Sequence, residues 1–165
     1  MEIINKASEK YKGFQDEICM PLFELLREIN ALEKEAVKRE DEIEADKEKK
    51  GISQSVYTDE DEALSDYVRD EMRKIVTPAR FSEKLLKRGY GLSWREPQTY
   101  GYIDEECEAT FSMRNAARAA VEIRDTAKIS NQYKFVYRLI DDKWLLDEVY
   151  YRMGSSSSWS VTGIK

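Results

Sequence analysis

Carboxylates and tyrosines supply most of the chemistry open to this sequence, because its 165 residues include no histidine. That absence excludes catalytic triads that depend on imidazole, zinc sites with histidine ligands and the His-x-Glu pattern of zinc deaminases. Catalysis would have to use the 33 acidic side chains, the ten tyrosines or a lysine. No motif for a metal or a cofactor stands out, so we expect neither.

The segment from 94 to 108 combines aromatic and acidic side chains in a pattern typical of a protein-binding surface. Pro97 and neighbouring glycines predict a loop or an irregular strand here. Aromatic side chains on a loop often anchor a partner, because they offer a large contact area with few rotatable bonds; packing in the core is the alternative. Carboxylates beside them would speed the approach of a basic partner. The candidate partner-binding residues are Trp94, Tyr100, Tyr102, Asp104, Glu105, Glu106 and Glu108.

The formal net charge of −6 bears on the choice of partner. A field of this sign repels nucleic acid and anionic lipid and attracts a basic protein, so we expect no nucleic-acid and no membrane partner. Cys19 and Cys107 form neither a disulfide framework nor a metal-binding pattern, which is typical of free thiols in a reducing compartment. The first twenty residues contain no apolar run and no secretory signal, which predicts a cytoplasmic protein.

Residues 1–50 predict amphipathic and charged helices that belong to the same domain as the rest of the chain. Apolar side chains recur there every three or four residues, as on one face of a helix. They are Ile4, Ala7, Tyr11, Phe14, Ile18, Leu22, Leu25, Ile29 and Leu32. Pro21 lies inside this stripe and predicts a kink or a break. From 33 to 50 the stripe thins among charges of both signs, which predicts a protruding, solvated arm that frays before Gly51; an arm that contacts a partner is the alternative.

A second helical block occupies residues 58 to 89. Thr58 and Asp61 match a capping box, and the acidic run from 59 to 62 complements the positive end of a helix dipole. A calcium loop would need alternating ligand spacing and a turn glycine, which this run lacks. An apolar stripe follows, Pro78 marks a boundary, and Gly89 is positioned to end a further short helix.

From Cys107 onward the apolar period changes from that of a helix to two, which predicts strands. Two strands flank a turn near Asn115, and two longer strands form a hairpin that turns at Asp141 and Asp142. A short final strand follows the serine run at 155–158, which we expect to be a flexible connection. Trp144, just after the hairpin turn, is expected to pack in the core, with the wall of a pocket as the alternative.

Helices followed by an antiparallel meander predict an α+β fold in which the helices cover one face of the sheet. This layout, with the helices and meander of residues 51–165, resembles the nuclear transport factor 2-like cone, in which N-terminal helices pack on a curved antiparallel sheet. The charged arm would be an extension of that cone. From about 100 to 165 the chain resembles, more specifically, the nuclear transport factor 2 fold immunity proteins of bacterial polymorphic toxin systems. The resemblance is carried by the tyrosine-containing segment from Pro97 to Asp104, by Arg118-Ala119-Ala120-Val121, by Gln132-Tyr133-Lys134-Phe135 and by Asp141-Asp142-Lys143-Trp144-Leu145-Leu146-Asp147.

The resemblance implies a non-catalytic protein that binds and neutralises a cognate toxin domain acting in the cytoplasm. The acidic charge fits a basic toxin; if that toxin is a nuclease, the carboxylates from 104 to 108 would occupy its phosphate-binding surface. The alternative is a small-ligand-binding or isomerase-like member of the same superfamily. Such isomerases pair a base with a tyrosine, and this sequence offers Asp104 near Tyr100 and Tyr102, and Asp147 near Tyr151.

Overall fold

The computed structural model describes residues 1–94, 96–126, 131–154, 156 and 158–165. Within these residues the α-helices are α1 (Gln15–Lys50), α2 (Asp59–Ile75) and α3 (Glu83–Arg88). The strands are β1 (Glu2–Asn5), β2 (Cys107–Asn115), β3 (Arg118–Asp125), β4 (Asn131–Ile140), β5 (Lys143–Met153) and β6 (Ser160–Thr162). Short 3-10 helices occupy Glu9–Phe14 and Gly101–Asp104.

The strands form one open sheet in the order β1-β2-β3-β4-β5-β6. β1 runs parallel to β2, and every other neighbouring pair is antiparallel. The predicted α+β class and the predicted meander are therefore confirmed. The hairpin between β4 and β5 also turns where predicted, because Asp141 and Asp142 both adopt positive φ angles, 48° and 61°, as a two-residue type I′ turn requires.

Apolar and polar side chains alternate along the strands, so one face of the sheet is apolar and packs against the helices. Phe111, Val121 and Phe135 lie side by side on β2, β3 and β4, and each is fully buried. Buried side chains of all three helices join them in a single core, to which each large apolar side chain contributes about 1.5–3 kcal/mol.

The N-terminus departs from the predicted helix. Ile4 lies in β1, where it is paired with Thr110 of β2, and Ala7 lies between that strand and the first 3-10 helix. The backbone N–H of Lys6 and that of Ser8 donate to carbonyls of β2 at 2.8 and 3.1 Å. The helical prediction is thus wrong before Glu9, because β2, a hundred residues away along the chain, supplies hydrogen bonds that no local pattern reveals.

α1 runs from Gln15 to Lys50 without a break, so the predicted break at Pro21 is wrong. Pro21 is exposed and lies in the second turn of the helix, while Ile18 and Leu22 on either side of it are fully buried. A proline removes one backbone hydrogen bond, a loss that the burial of this long apolar face outweighs.

The predicted protruding arm is corrected in part: residues 33 to 50 of α1 lie alongside α2, although most of the last ten are exposed as predicted. Ala36 is fully buried, and Lys47 is 5% exposed, with its ammonium 2.7 Å from the carboxylate of Asp61. The helix remains regular up to Gly51, whose φ of 67° and backbone hydrogen bond to Glu48 end it as a left-handed C-cap. The Lys47–Asp61 ion pair gives the buried ammonium a partner at this contact, since a buried charge without one would be strongly destabilising.

The capping box at Thr58 and Asp61 is confirmed: the Thr58 hydroxyl accepts from the Asp61 N–H, and the Asp61 carboxylate accepts from the Thr58 N–H. Trp144, which was expected in the core, is paired with Leu139 and is only half-buried, with its ring 6.3 Å from that of Phe14. The predicted flexible serine run lies partly outside the described residues. None of the helices in the described part of the chain combines the length and apolar character needed to cross a membrane.

Candidate partner-binding site

The segment before β2 is held in place by two buried polar side chains of α1. The Asn30 amide donates to the backbone carbonyl of Tyr100 at 2.5 Å, and the Glu33 carboxylate accepts from the backbone N–H of Thr99 at 3.1 Å. Both α1 side chains are at most 2% exposed. Hydrogen bonds between buried groups are costly to lose, so these two bonds from α1 help to determine where this segment sits on the sheet.

Tyr100 and Tyr102 lie in the core, and the expectation that they are exposed anchors is wrong. Tyr100 is fully buried and contacts the rings of Tyr133 and Phe135 edge-on, at 5.3 and 6.1 Å between centroids. Tyr102 is 7% exposed and stacks on Tyr133. Burial raises the pKa of Tyr102 well above its usual value. Core packing, the alternative left open by the sequence, is the role of both rings.

Trp94 is half-buried against the same core and adopts a positive φ of 48°. Its side chain therefore offers a partner only part of its ring. Of the three aromatic candidates, Trp94 alone keeps an accessible surface of useful size.

The acidic candidates remain on the surface, and we call Asp104, Glu105, Glu106 and Glu108 the acidic edge. The first three are exposed and Glu108 is half-buried. The 3-10 helix before β2 presents Asp104 to α1, where the Arg27 guanidinium lies 3.0 Å from its carboxylate. Among the described residues the other three form no ion pair, so their charge is available to an approaching cation.

A pocket of about 300 Å³ opens beside this segment, which we call the tyrosine pocket. Tyr100, Tyr133 and Tyr151 line it together with Thr99 and Asn131. The Tyr151 hydroxyl donates to the Asn131 side chain at 3.3 Å. Thr99 is 6% exposed, and its hydroxyl has no hydrogen-bond partner in the described part of the structure. An unsatisfied buried hydroxyl beside a cavity is a place where a ligand oxygen or nitrogen would bind.

The two aspartates considered as catalytic bases lie elsewhere. Asp104 is held at the surface by Arg27, and Asp147 is an extra residue in β5, 2.7 Å from the Arg138 guanidinium and 3.9 Å from the Lys84 ammonium. Neither lines the tyrosine pocket. The sequence neighbours Asp147 and Tyr151 thus have different roles, the first in an ion-pair cluster and the second in the pocket wall.

The role of Asn30 and Glu33, which position the candidate segment, was not predicted from the sequence. Their spacing of three places them on the same flank of α1 as Leu26, beside the apolar stripe, and this arithmetic could have predicted their burial. A comparison with family models, with curated proteins and with solved structures found no match in any of the three. The function must therefore be inferred from the chain's own residues.

Proposed function

We propose that this chain is an immunity protein with the nuclear transport factor 2-like cone, which binds a basic toxin domain in the cytoplasm and blocks it without catalysis. The fold supports this proposal at the level of layout, because helices precede a meander and cover one face of its sheet. Within the described strands, β2 and β5 each contain a β-bulge, a feature that bends and twists a sheet, as a cone-shaped sheet requires.

The observation that carries the proposal is the exposure of the acidic edge. Glu105 and Glu106 are exposed side by side on a segment anchored to α1, and they form no ion pair within the described residues. Exposed carboxylates without an ion-pair partner steer the approach of a basic protein. Tyr100 and Tyr102, the aromatic neighbours of the acidic edge, are buried in the core and hold the segment in place; they do not contact the partner.

The proposal is tested by co-expressing the chain with the toxic C-terminal domain encoded immediately upstream of its gene. Growth should be restored, and the two proteins should purify as a complex. The double variant Glu105→Lys/Glu106→Lys should slow association by roughly tenfold at low salt, as expected for charges that steer encounter.

The matched control is Asp66→Lys/Asp70→Lys, which reverses two exposed charges on α2 and should associate like the unmodified protein. All variants must keep the wild-type circular dichroism spectrum. If the upstream gene encodes no toxic domain and no such complex forms, the proposal is wrong.

The second candidate function is small-ligand binding, as in other cone-shaped proteins, with an isomerase-like activity as its catalytic form. The unpartnered Thr99 hydroxyl in the tyrosine pocket favours it. An organic molecule retained by the purified protein and released by Thr99→Val, which removes the hydroxyl and keeps the shape, would favour this function over toxin binding.

A further inference from the structure

The end of the molecule formed by α1 and α2 carries an open apolar groove, which we call the tip groove. It lies between the last turns of α1, the following loop and the first turns of α2, and its volume is about 430 Å³. Its apolar lining comes from Ile43, Ile52, Ala63 and Leu64. This cavity is large enough for one or two apolar side chains, and no other element of the described chain covers it.

Two large apolar side chains stand exposed on the loop that borders the groove. Val56 is 48% exposed and Tyr57 is 69% exposed. The backbone is well held on both sides, by the Gly51 C-cap and by the capping box at Thr58. A loop anchored at both ends that presents apolar side chains to water beside an apolar groove is typical of a protein-binding surface.

The helix ends and the loop that form this groove carry an excess of negative charge, although the lining itself balances three cations (Arg39, Lys47 and Lys50) against three carboxylates (Glu42, Asp46 and Glu60). Residues 39–63 contain ten acidic and four basic side chains, so their net charge equals the −6 of the entire chain. Three of the four cations are already engaged in ion pairs: Arg39 with Glu35, Lys47 with Asp61, and Lys50 with Asp46.

The excess of negative charge acts on Glu40, which neighbours Arg39 of the groove lining in the sequence. Burial, and then the nearby carboxylates of Glu44, Asp41 and Asp61, raise the pKa of Glu40. At the rim, Glu42 and Glu60 line the groove and form no ion pair within the described residues. Cations brought by a partner would therefore relieve repulsion that is present in the free protein.

We propose that the tip groove is a docking surface for a basic protein segment, in which an apolar side chain fills the groove and flanking lysines or arginines contact Glu42 and Glu60. This inference deepens the proposed function and rests on it only for the basic character of the natural partner. Nucleic acid is disfavoured because its phosphates would approach residues 39–63, whose net charge is −6, and a second copy of the chain is disfavoured because two such segments repel.

The tip groove is separate from the acidic edge. Arg27, which holds the edge, precedes Ile43 of the groove by sixteen residues on one continuous helix. At the rise of an α-helix this spacing is about 24 Å, so substitutions at one surface leave the other intact.

The test uses fluorescence anisotropy of the full chain with a fluorescein-labelled peptide, Lys-Arg-Lys-Leu-Lys-Arg-Lys. We expect saturable binding that weakens at least tenfold for the variant Ala63→Trp, whose indole would occupy the groove, and for Glu42→Lys/Glu60→Lys. A peptide with serine in place of leucine should bind at least threefold more weakly. Ala63→Ser and Glu105→Lys/Glu106→Lys are the matched controls, and both should bind like the unmodified chain.

The inference is overturned if the labelled peptide does not bind, if Ala63→Trp binds it as tightly as Ala63→Ser, or if only the acidic-edge variant loses binding. A single-stranded oligonucleotide that binds more tightly than the peptide would overturn it as well. Failure of this inference can be distinguished from failure of the proposed function. If co-expression protects cells but the peptide does not bind, only the docking role of the tip groove is wrong. If the peptide binds but no toxin is encoded upstream, only the proposed immunity function is wrong.

Discussion

At the scale of single residues, Tyr100 shows how burial changes the meaning of a substitution. Its ring is enclosed by Tyr133 and Phe135, and its backbone carbonyl accepts the Asn30 hydrogen bond. Tyr100→Ala should therefore cost about 3–5 kcal/mol of unfolding free energy, as measured by urea denaturation, because it leaves a cavity in the core.

Tyr100→Phe keeps the ring and should retain most of that stability. Comparing the two variants distinguishes a loss of core packing from a loss of binding contacts. If a partner binds Tyr100→Phe normally but Tyr100→Ala weakly, the weaker binding reflects unfolding of the alanine variant. A folded, stable Tyr100→Ala protein would contradict the placement of this ring in the core.

At the scale of elements, the ion pair between α1 and the segment before α3 predicts a pH dependence. Arg80 donates to both carboxylate oxygens of Glu28, at 2.6 and 2.7 Å, and these hydrogen bonds lower the pKa of Glu28. A carboxyl whose pKa is lowered by folding stabilises the native state above its unfolded pKa of about 4.3. That contribution is lost as the pH falls through the folded pKa.

Urea midpoints measured from pH 6 to pH 3 should fall for the unmodified chain and fall less steeply for Glu28→Gln. Arg80→Met removes the other partner of the same pair and should flatten the same part of the curve. Equal slopes in all three proteins would show that the pair does not couple folding to protonation.

At the scale of the whole molecule, helices and sheet share one core, so they should unfold together. Apolar side chains of α1 and α2 are buried in the same cluster as those of β2, β3 and β4. We expect helical circular dichroism and tryptophan fluorescence to report one thermal transition with the same midpoint. An earlier loss of helical signal would mean that residues 33 to 50 melt on their own, as a solvated arm would.

The sequence by itself determined those elements whose signals are local. The hairpin turn at Asp141 and Asp142, the capping box at Thr58 and the period of two from Cys107 onward were predicted and are present. Each depends on residues within a few positions of one another, where backbone sterics and side-chain hydrogen bonds act without help from the rest of the chain.

Only the tertiary structure decided the parts that depend on distant partners. Ile4 lies in a strand because β2 offers it a free edge, and Lys47 is buried because Asp61 of α2 lies beside it as a partner. Tyr100 is buried because Asn30, seventy positions earlier, holds its backbone against the sheet. In each case the stabilising free energy comes from contacts between segments far apart in sequence. A local pattern carries no information about which of those segments will meet.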